Sequence, residues 1–197
     1  MELLTIAVTL FLIMDPLGNL PVFVSILKDI DAKRQRQIMI RELLIALLIM
    51  FLFLFAGENI LSFLHLKQES VSIAGGIILF IIAIKMIFPQ PGGLMGLDEG
   101  EEPFLVPIAV PMMAGPSILA SLILFTNQMP NQLFELSIAL VIAWALSAII
   151  LIYSNVFNRL LGERGLKAME RLMGMILVMI AVQMLLDGLA KYASNFY

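Results

Sequence analysis

The sequence contains no cysteine, a single histidine and few charged residues. Without cysteine there are no disulfides, no thiol nucleophile and no thiolate metal site, and His65 alone cannot form a metal centre. Only 14% of the 197 residues are charged, whereas 61% are hydrophobic. In a soluble domain about 25% of the residues are charged and about 45–50% are apolar. Neither a water-exposed surface nor the basic surface of a nucleic-acid-binding protein can be built from this composition. It predicts an integral membrane protein whose main partner is the lipid bilayer.

Six segments are long and apolar enough to form transmembrane helices, each of which needs about 20 mostly apolar residues. The predicted spans are residues 3–27, 38–57, 70–88, 104–126, 134–157 and 171–190. The polar stretches between them are too short to hold a soluble domain. We therefore expect a single all-α membrane domain over residues 1–197.

Lysine and arginine are distributed unequally between the two sides of such a six-span chain. One side holds nine of them: Lys28, Lys33, Arg34, Arg36, Arg41, Arg159, Arg164, Lys167 and Arg171. The other side holds only Lys67 and Lys191, and Lys85 can extend from the third span to the basic side. Because basic loops stay in the cytoplasm, the sequence predicts that this side is cytoplasmic and that both termini lie outside.

The two halves of the chain resemble each other. Residues 76–86 in the third span match residues 174–184 in the sixth at six of eleven positions, and residues 43–49 resemble residues 136–142. Each half holds three spans, an odd number, so the second half must enter the membrane from the opposite face. The pattern predicts two inverted repeats, about 1–88 and about 104–190, joined by an acidic, Pro/Gly-rich connector at 89–103.

The first span is interrupted by residues that break helices, in the order Asp15-Pro16-Leu-Gly18-Asn19-Leu-Pro21. A proline removes a backbone hydrogen bond and forces the residue before it out of the helical conformation. The break falls near the bilayer midplane, where unpaired backbone groups cost several kcal/mol unless protein, water or a ligand satisfies them. We expect a second half-helix to begin at Pro21, with Asn19 or Leu20 near its cap.

The fourth span carries a comparable interruption, so the predicted substrate site lies between the two breaks. Its contributing residues in this span are Pro111, Gly115, Pro116 and Ser117. Half-helices beginning at Pro21 and Pro116 would direct partial positive charge and free N–H groups at a bound anion, with Asp15 as a counter-charge. Such a site fits a zwitterion. The alternative is that the prolines are structural kinks and that Asp15 is a local cap.

These features predict a secondary transporter that works by alternating access, with a possible H⁺ or Na⁺ coupling ion, no other cofactor, no metal site and possible homo-oligomers. A passive channel and a regulatory or structural membrane protein are the alternatives. One mid-membrane carboxylate without a nearby acid, histidine or cysteine offers little machinery for acid–base catalysis. We therefore do not expect an enzyme.

The string Asp15-Pro-Leu-Gly-Asn-Leu-Pro21, followed in the second half by Ala-Gly-Pro-Ser117, resembles the MarC family of integral membrane proteins. The resemblance extends along the whole chain, and Gly100-Glu-Glu-Pro103 and Glu170-Arg-Leu-Met-Gly174 are similar to its enterobacterial YhgN branch. It implies a six-helix inner-membrane protein. Some members of the family are described as transporters of small neutral amino acids, so the resemblance implies such substrates here.

Overall fold

The structure is a computed structural model that describes residues 3–27, 30–88 and 104–194, and within these ranges it contains no β-strand. The helices are α1 (Leu3–Met14), α2 (Pro16–Leu27), α3 (Ala32–Phe63), α4 (Gln68–Ile87), a π-helix (Ile108–Met113), α5 (Pro116–Gln128), α6 (Leu133–Ile152) and α7 (Ser154–Ser194). The chain is thus all-helical, as predicted. The connector predicted at 89–103 lies outside the described residues.

Five stretches in the described residues are long and apolar enough to cross a membrane: Leu3–Leu20, Ala32–Phe63, Glu69–Ile87, Leu133–Ile152 and Arg171–Ala193. They correspond to five of the six predicted spans. The remaining one, 104–126, is divided between the six-residue π-helix and the 13-residue α5. At 1.5 Å per residue α5 is about 20 Å long, shorter than the ~30 Å hydrocarbon core of a bilayer.

Two of the polar stretches predicted to be loops are helical instead. Helix α3 begins at Ala32, where the side chain of Asp31 accepts a hydrogen bond from the N–H of Lys33, and residues 158–170 lie inside the 41-residue α7. At these lengths α3 spans about 48 Å and α7 about 62 Å, so both exceed the hydrocarbon thickness. The loop prediction was wrong because Lys, Arg, Glu, Gln and Leu favour helix in water as well as in lipid.

Helices α4 and α7 pack closely through small residues. A Cβ added to Gly76 would lie only 3.0 Å from the carbonyl oxygen of Ala181, and a Cβ added to Gly174 would lie 3.1 Å from the carbonyl oxygen of Ala83. Gly76 of α4 thus pairs with Ala181 of α7, and the later residue Ala83 pairs with the earlier residue Gly174. The two helices therefore run antiparallel here. Small residues allow this close approach, which is a main source of helix association in lipid.

The contacts around these two glycines are reciprocal. Each glycine lies against an alanine carbonyl, a methionine and a branched aliphatic residue of the other helix. For Gly76 the neighbours are Ala181, Met184 and Leu185, and for Gly174 they are Ala83, Met86 and Ile87. Every residue of the first set is separated by 98 positions from its counterpart in the second.

Candidate functional site

The first interruption falls at Asp15, between α1 and α2. Its backbone is left-handed, with φ of 42°, a conformation that aspartate tolerates better than most residues. Its carboxylate Oδ1 accepts a hydrogen bond of 3.0 Å from the N–H of Gly18, so Asp15 caps α2. A Cβ on Gly18 would collide with this carboxylate, which explains the glycine. The local-cap alternative for Asp15 therefore describes a real contact.

The prediction that the second half-helix begins at Pro21 was wrong, because α2 begins at Pro16 and includes Pro21. Asp15 supplies the cap and Pro16 the fixed φ of a first helical position. Proline at that position costs nothing, since its missing N–H would have had no partner in the helix. The helix therefore starts at the first opportunity after the break, and Pro21 removes one bond from α2 without ending it.

After the second interruption, α5 begins at Pro116, as predicted. Within the π-helix Val110 is extended, with φ of −129° and ψ of 129°, and Gly115 is extended before Pro116, the first residue of α5. Gly115 has no side chain to cap the helix. The N–H groups of Ser117 and Ile118, in the first turn of α5, have no partners within the helix and no side-chain cap.

Asn19 joins the two interruptions. Its side-chain Nδ2 donates to the carbonyl oxygen of Met14, the last residue of α1, at 2.9 Å, and to that of Met112 in the π-helix at 3.4 Å. Both carbonyls lie at helix ends, where acceptors lack intrahelical partners. One amide therefore holds the two breaks together, a role different from the helix cap predicted for Asn19.

A cavity of about 100 Å³ lies where the two breaks meet. It is lined by Asp15 and Asn19 from the first break and by Pro111, Gly115, Pro116 and Ser117 from the second, with apolar walls from α1, α4 and α7. Of the predicted site residues, Pro16 and Gly18 do not line it. A water molecule occupies about 30 Å³ in the liquid, so the cavity has room for about three waters or for one small molecule of the same total volume.

The cavity has opposite electrostatic character on two of its walls. The exposed carboxylate of Asp15 is acceptor-only when ionised. The N-terminus of α5 carries about half a positive elementary charge together with its free N–H groups. No cluster of three or more His, Asp or Glu side chains occurs among the described residues. The arrangement can hold a small molecule that carries both a cationic and an anionic group.

A buried carboxylate holds the segment just before the π-helix. Glu42 is fully buried; its Oε1 pairs with Nε of Arg41 at 2.9 Å, and its Oε2 accepts the N–H of Leu105 at 2.8 Å. The guanidinium of Arg41 also lies 5.1 Å from the centre of the Phe104 ring. Only the adjacent Arg–Glu pair signalled this anchor in the sequence.

Two further contacts support the site from outside. Gly75 of α4 leaves room for the ring of Pro116, because a Cβ on Gly75 would collide with it. Trp144 donates from Nε1 to the carbonyl of Leu43 at 2.8 Å. It therefore links α6 to α3, and it does not line the cavity.

These features define a multi-pass membrane protein, helical in the residues that the structure describes, in which two helix interruptions meet at a small cavity. Residues 1–193 match the family described as "MarC family integral membrane protein", and the chain belongs to this family, as its sequence motifs predicted.

Relatives along the whole length agree with this assignment. "UPF0056 inner membrane protein YhgN" of Escherichia coli K12 is 62% identical over 192 residues, which cover 97% of this chain and 98% of that protein. A "UPF0056 membrane protein" of Buchnera aphidicola subsp. Schizaphis graminum is 54% identical over 98% of this chain and 99% of its own. One from Chlamydia pneumoniae is 33% identical over 99% and 98%. No solved structure matches the chain. The protein is an inner-membrane protein.

Proposed function

We propose that this protein is a secondary transporter of small metabolites, small neutral amino acids in particular, that works by alternating access around the cavity. The observation that carries the proposal is the pairing of the Asp15 carboxylate with the uncapped N-terminus of α5 in one small space. The ammonium group of a zwitterion is complementary to Asp15, and its carboxylate is complementary to the N–H groups of Ser117 and Ile118. The substrates implied by the family resemblance have this chemistry.

The proposal includes six membrane-crossing segments in two inverted repeats, with 104–126 as the interrupted fourth. The reciprocal neighbours of Gly76 and Gly174 support it. Reciprocal contacts between equivalent residues are the mark of a two-fold axis, and an antiparallel helix pair places that axis perpendicular to the helices, in the membrane plane. Inverted repeats of this kind build substrate sites from broken helices in secondary transporters.

The orientation proposed for the chain has both termini on the periplasmic side, from the nine-to-two distribution of Lys and Arg. A C-terminal alkaline phosphatase fusion is expected to be active, and a C-terminal green fluorescent protein fusion dark. Fluorescence together with an inactive phosphatase would reverse the assignment.

Transport is tested by counterflow in proteoliposomes loaded with one amino acid from a panel of small neutral ones, with protonophore and Na⁺ ionophore arms to detect coupling. Transient accumulation of the labelled amino acid above its external concentration identifies an alternating-access carrier, and dependence of uptake on an imposed H⁺ or Na⁺ gradient identifies coupling, whereas uptake that only equilibrates identifies a passive channel. Glu58→Gln is the matched control for replacement of Asp15 by asparagine, since it removes an exposed carboxylate of α3 that lies outside the cavity. Absence of uptake for every substrate by folded protein would contradict the proposal and favour a structural or regulatory role.

A further inference from the structure

A second, larger cavity adjoins the first. It has a volume of about 340 Å³ and shares Pro116, Ser117 and Met184 with the smaller cavity. From this common wall it extends between α4, α5 and α7, past Ser121 and Leu124 of α5. We call it the vestibule. Because the two cavities share the first turn of α5, the vestibule lies next to the proposed anion-binding end of the candidate site.

The far end of the vestibule is polar and lies at one end of the helix bundle. It is lined there by Glu69 and Ser72, in the first turns of α4, and by Asp187 and Lys191, near the end of α7. The C-terminal half of α5 extends in the same direction, from Pro116 towards Gln128. The vestibule therefore runs from the site to the end of the bundle that holds the C-terminal end of α7.

Polar groups line the vestibule along its length. Ser117 and Ser121 lie one turn apart on the same face of α5, and the hydroxyl of Ser121 donates to the carbonyl of Ser117 at 2.8 Å. Asp187 lies inside the apolar stretch Arg171–Ala193, between the exposed Leu186 and Leu189. An ionised side chain in such a stretch is costly unless it faces water or a partner; Asp187 accepts a hydrogen bond from Nε2 of Gln183 at 2.8 Å and also lines the vestibule.

We propose that the vestibule is the water-filled entrance through which a small zwitterion reaches the cavity, and that the described conformation is open on this side. The identity of the passing solute rests on the proposed function, whereas the existence of the entrance does not. With the proposed orientation, this side is the periplasm. Two carboxylates and one ammonium at the mouth offer exchangeable partners to both ends of a zwitterion.

The entrance is tested by thiol labelling, for which the chain is already suitable because it contains no cysteine. Single variants Ser121→Cys and Ser117→Cys probe the vestibule and the cavity. Ile77→Cys, on the exposed surface of α4 close to the level of Gly75 and Pro116, is the matched control facing away from both cavities. An anionic, membrane-impermeant methanethiosulfonate is applied to right-side-out and to inside-out vesicles.

Both serine variants are expected to react from the side that carries the C-terminus, at least ~10-fold faster than Ile77→Cys, because the reacting thiolate forms readily only in water. Each should be unreactive from the other side. The entrance proposal would be overturned if neither variant reacted from the C-terminal side although both reacted fully after denaturation. It would also be overturned if Ser117→Cys reacted only from the opposite side.

The labelling result separates the entrance from the transport proposal. If the unsubstituted protein transports amino acids but neither serine variant is labelled, only the entrance is wrong. If both variants are labelled but the folded protein transports nothing, the entrance stands and the proposed function fails. A substrate found by counterflow should also slow labelling of Ser117→Cys, and a saturating substrate that leaves this rate unchanged would contradict passage through this cavity.

Discussion

Replacing Asp15 with asparagine removes its charge while keeping its cap. Asparagine is as good an N-cap as aspartate, accepts the N–H of Gly18 through the same oxygen position, and tolerates the left-handed backbone that Asp15 adopts at φ of 42°. The structural loss is the attraction between the carboxylate and the N-terminus of α2, about 0.3–1 kcal/mol. Asp15→Asn should therefore fold and unfold almost as the unsubstituted protein does.

The effect on transport should be much larger than this effect on stability. A hydrogen bond to a charged group contributes about 1.5–3 kcal/mol, and each 1.4 kcal/mol is a factor of ten in affinity. If Asp15 binds the substrate ammonium, Asp15→Asn should weaken substrate binding by about ten- to one-hundred-fold, and exchange itself should fail at ordinary concentrations. If Asp15 binds a coupling proton, exchange should persist while dependence on the proton gradient disappears.

Asp15→Ala is the contrasting variant, because it removes both the charge and the cap. Loss of an N-cap costs about 1 kcal/mol, and a left-handed alanine costs a further 1–2 kcal/mol or so. The thermal unfolding temperature in detergent should thus fall for Asp15→Ala and hardly change for Asp15→Asn, while both lose transport. Normal concentrative transport by Asp15→Asn at every pH would refute a role for the charge and leave Asp15 as a structural cap.

Three further substitutions test the supports of the site. Gly75→Ala should push the ring of Pro116 away from α4 and reduce transport at least ~10-fold, since small misplacements are costly at a binding site. Ala74→Val, a substitution at an exposed position, should leave transport unchanged. Glu42→Leu should destabilise the protein in detergent by about 1–3 kcal/mol, because the N–H of Leu105 and the guanidinium of Arg41 lose a shared partner, with Glu42→Gln intermediate; equal unfolding temperatures would contradict the anchor. Gly174→Leu should push α4 away from α7 and lower the free energy of unfolding by about 1–3 kcal/mol. Met175→Leu, at the exposed neighbouring residue, should leave it unchanged in the same unfolding assay.

The sequence was informative where a residue constrains its own backbone. Proline and glycine indicated both interruptions, and Pro116 opens its helix as expected. The choice between Pro16 and Pro21 was wrong because it depends on whether a cap precedes the proline, and the left-handed conformation of Asp15 that creates this cap is set by the surrounding structure. Hydropathy located the spans but not the helix ends, because polar helix formers continue α3 and α7 beyond the apolar stretches.

The residues that hold the site together were not predictable, since their roles depend on contacts between distant segments. Glu42 bonds to an N–H 63 positions away, and Asn19 bonds to a carbonyl 93 positions away. Neither pairing has a local signature in a single sequence. The internal repeat is the exception, because similarity between two segments implies similar structures, and the matched glycines of α4 and α7 lie in equivalent close contacts.

The size of the cavity restricts the substrates more narrowly than its chemistry does. Pockets that hold drug-sized ligands have volumes of about 300–1,000 Å³, whereas the space between the two breaks is about 100 Å³. Its apolar walls, with buried Leu79 and Leu177 among them, leave room for a short aliphatic side chain beside the two charged ends of a zwitterion. The vestibule, at about 340 Å³, admits larger molecules than the cavity can hold. In this conformation the size limit therefore falls at the cavity, where Asn19 fixes the distance between the two breaks by bonding to both.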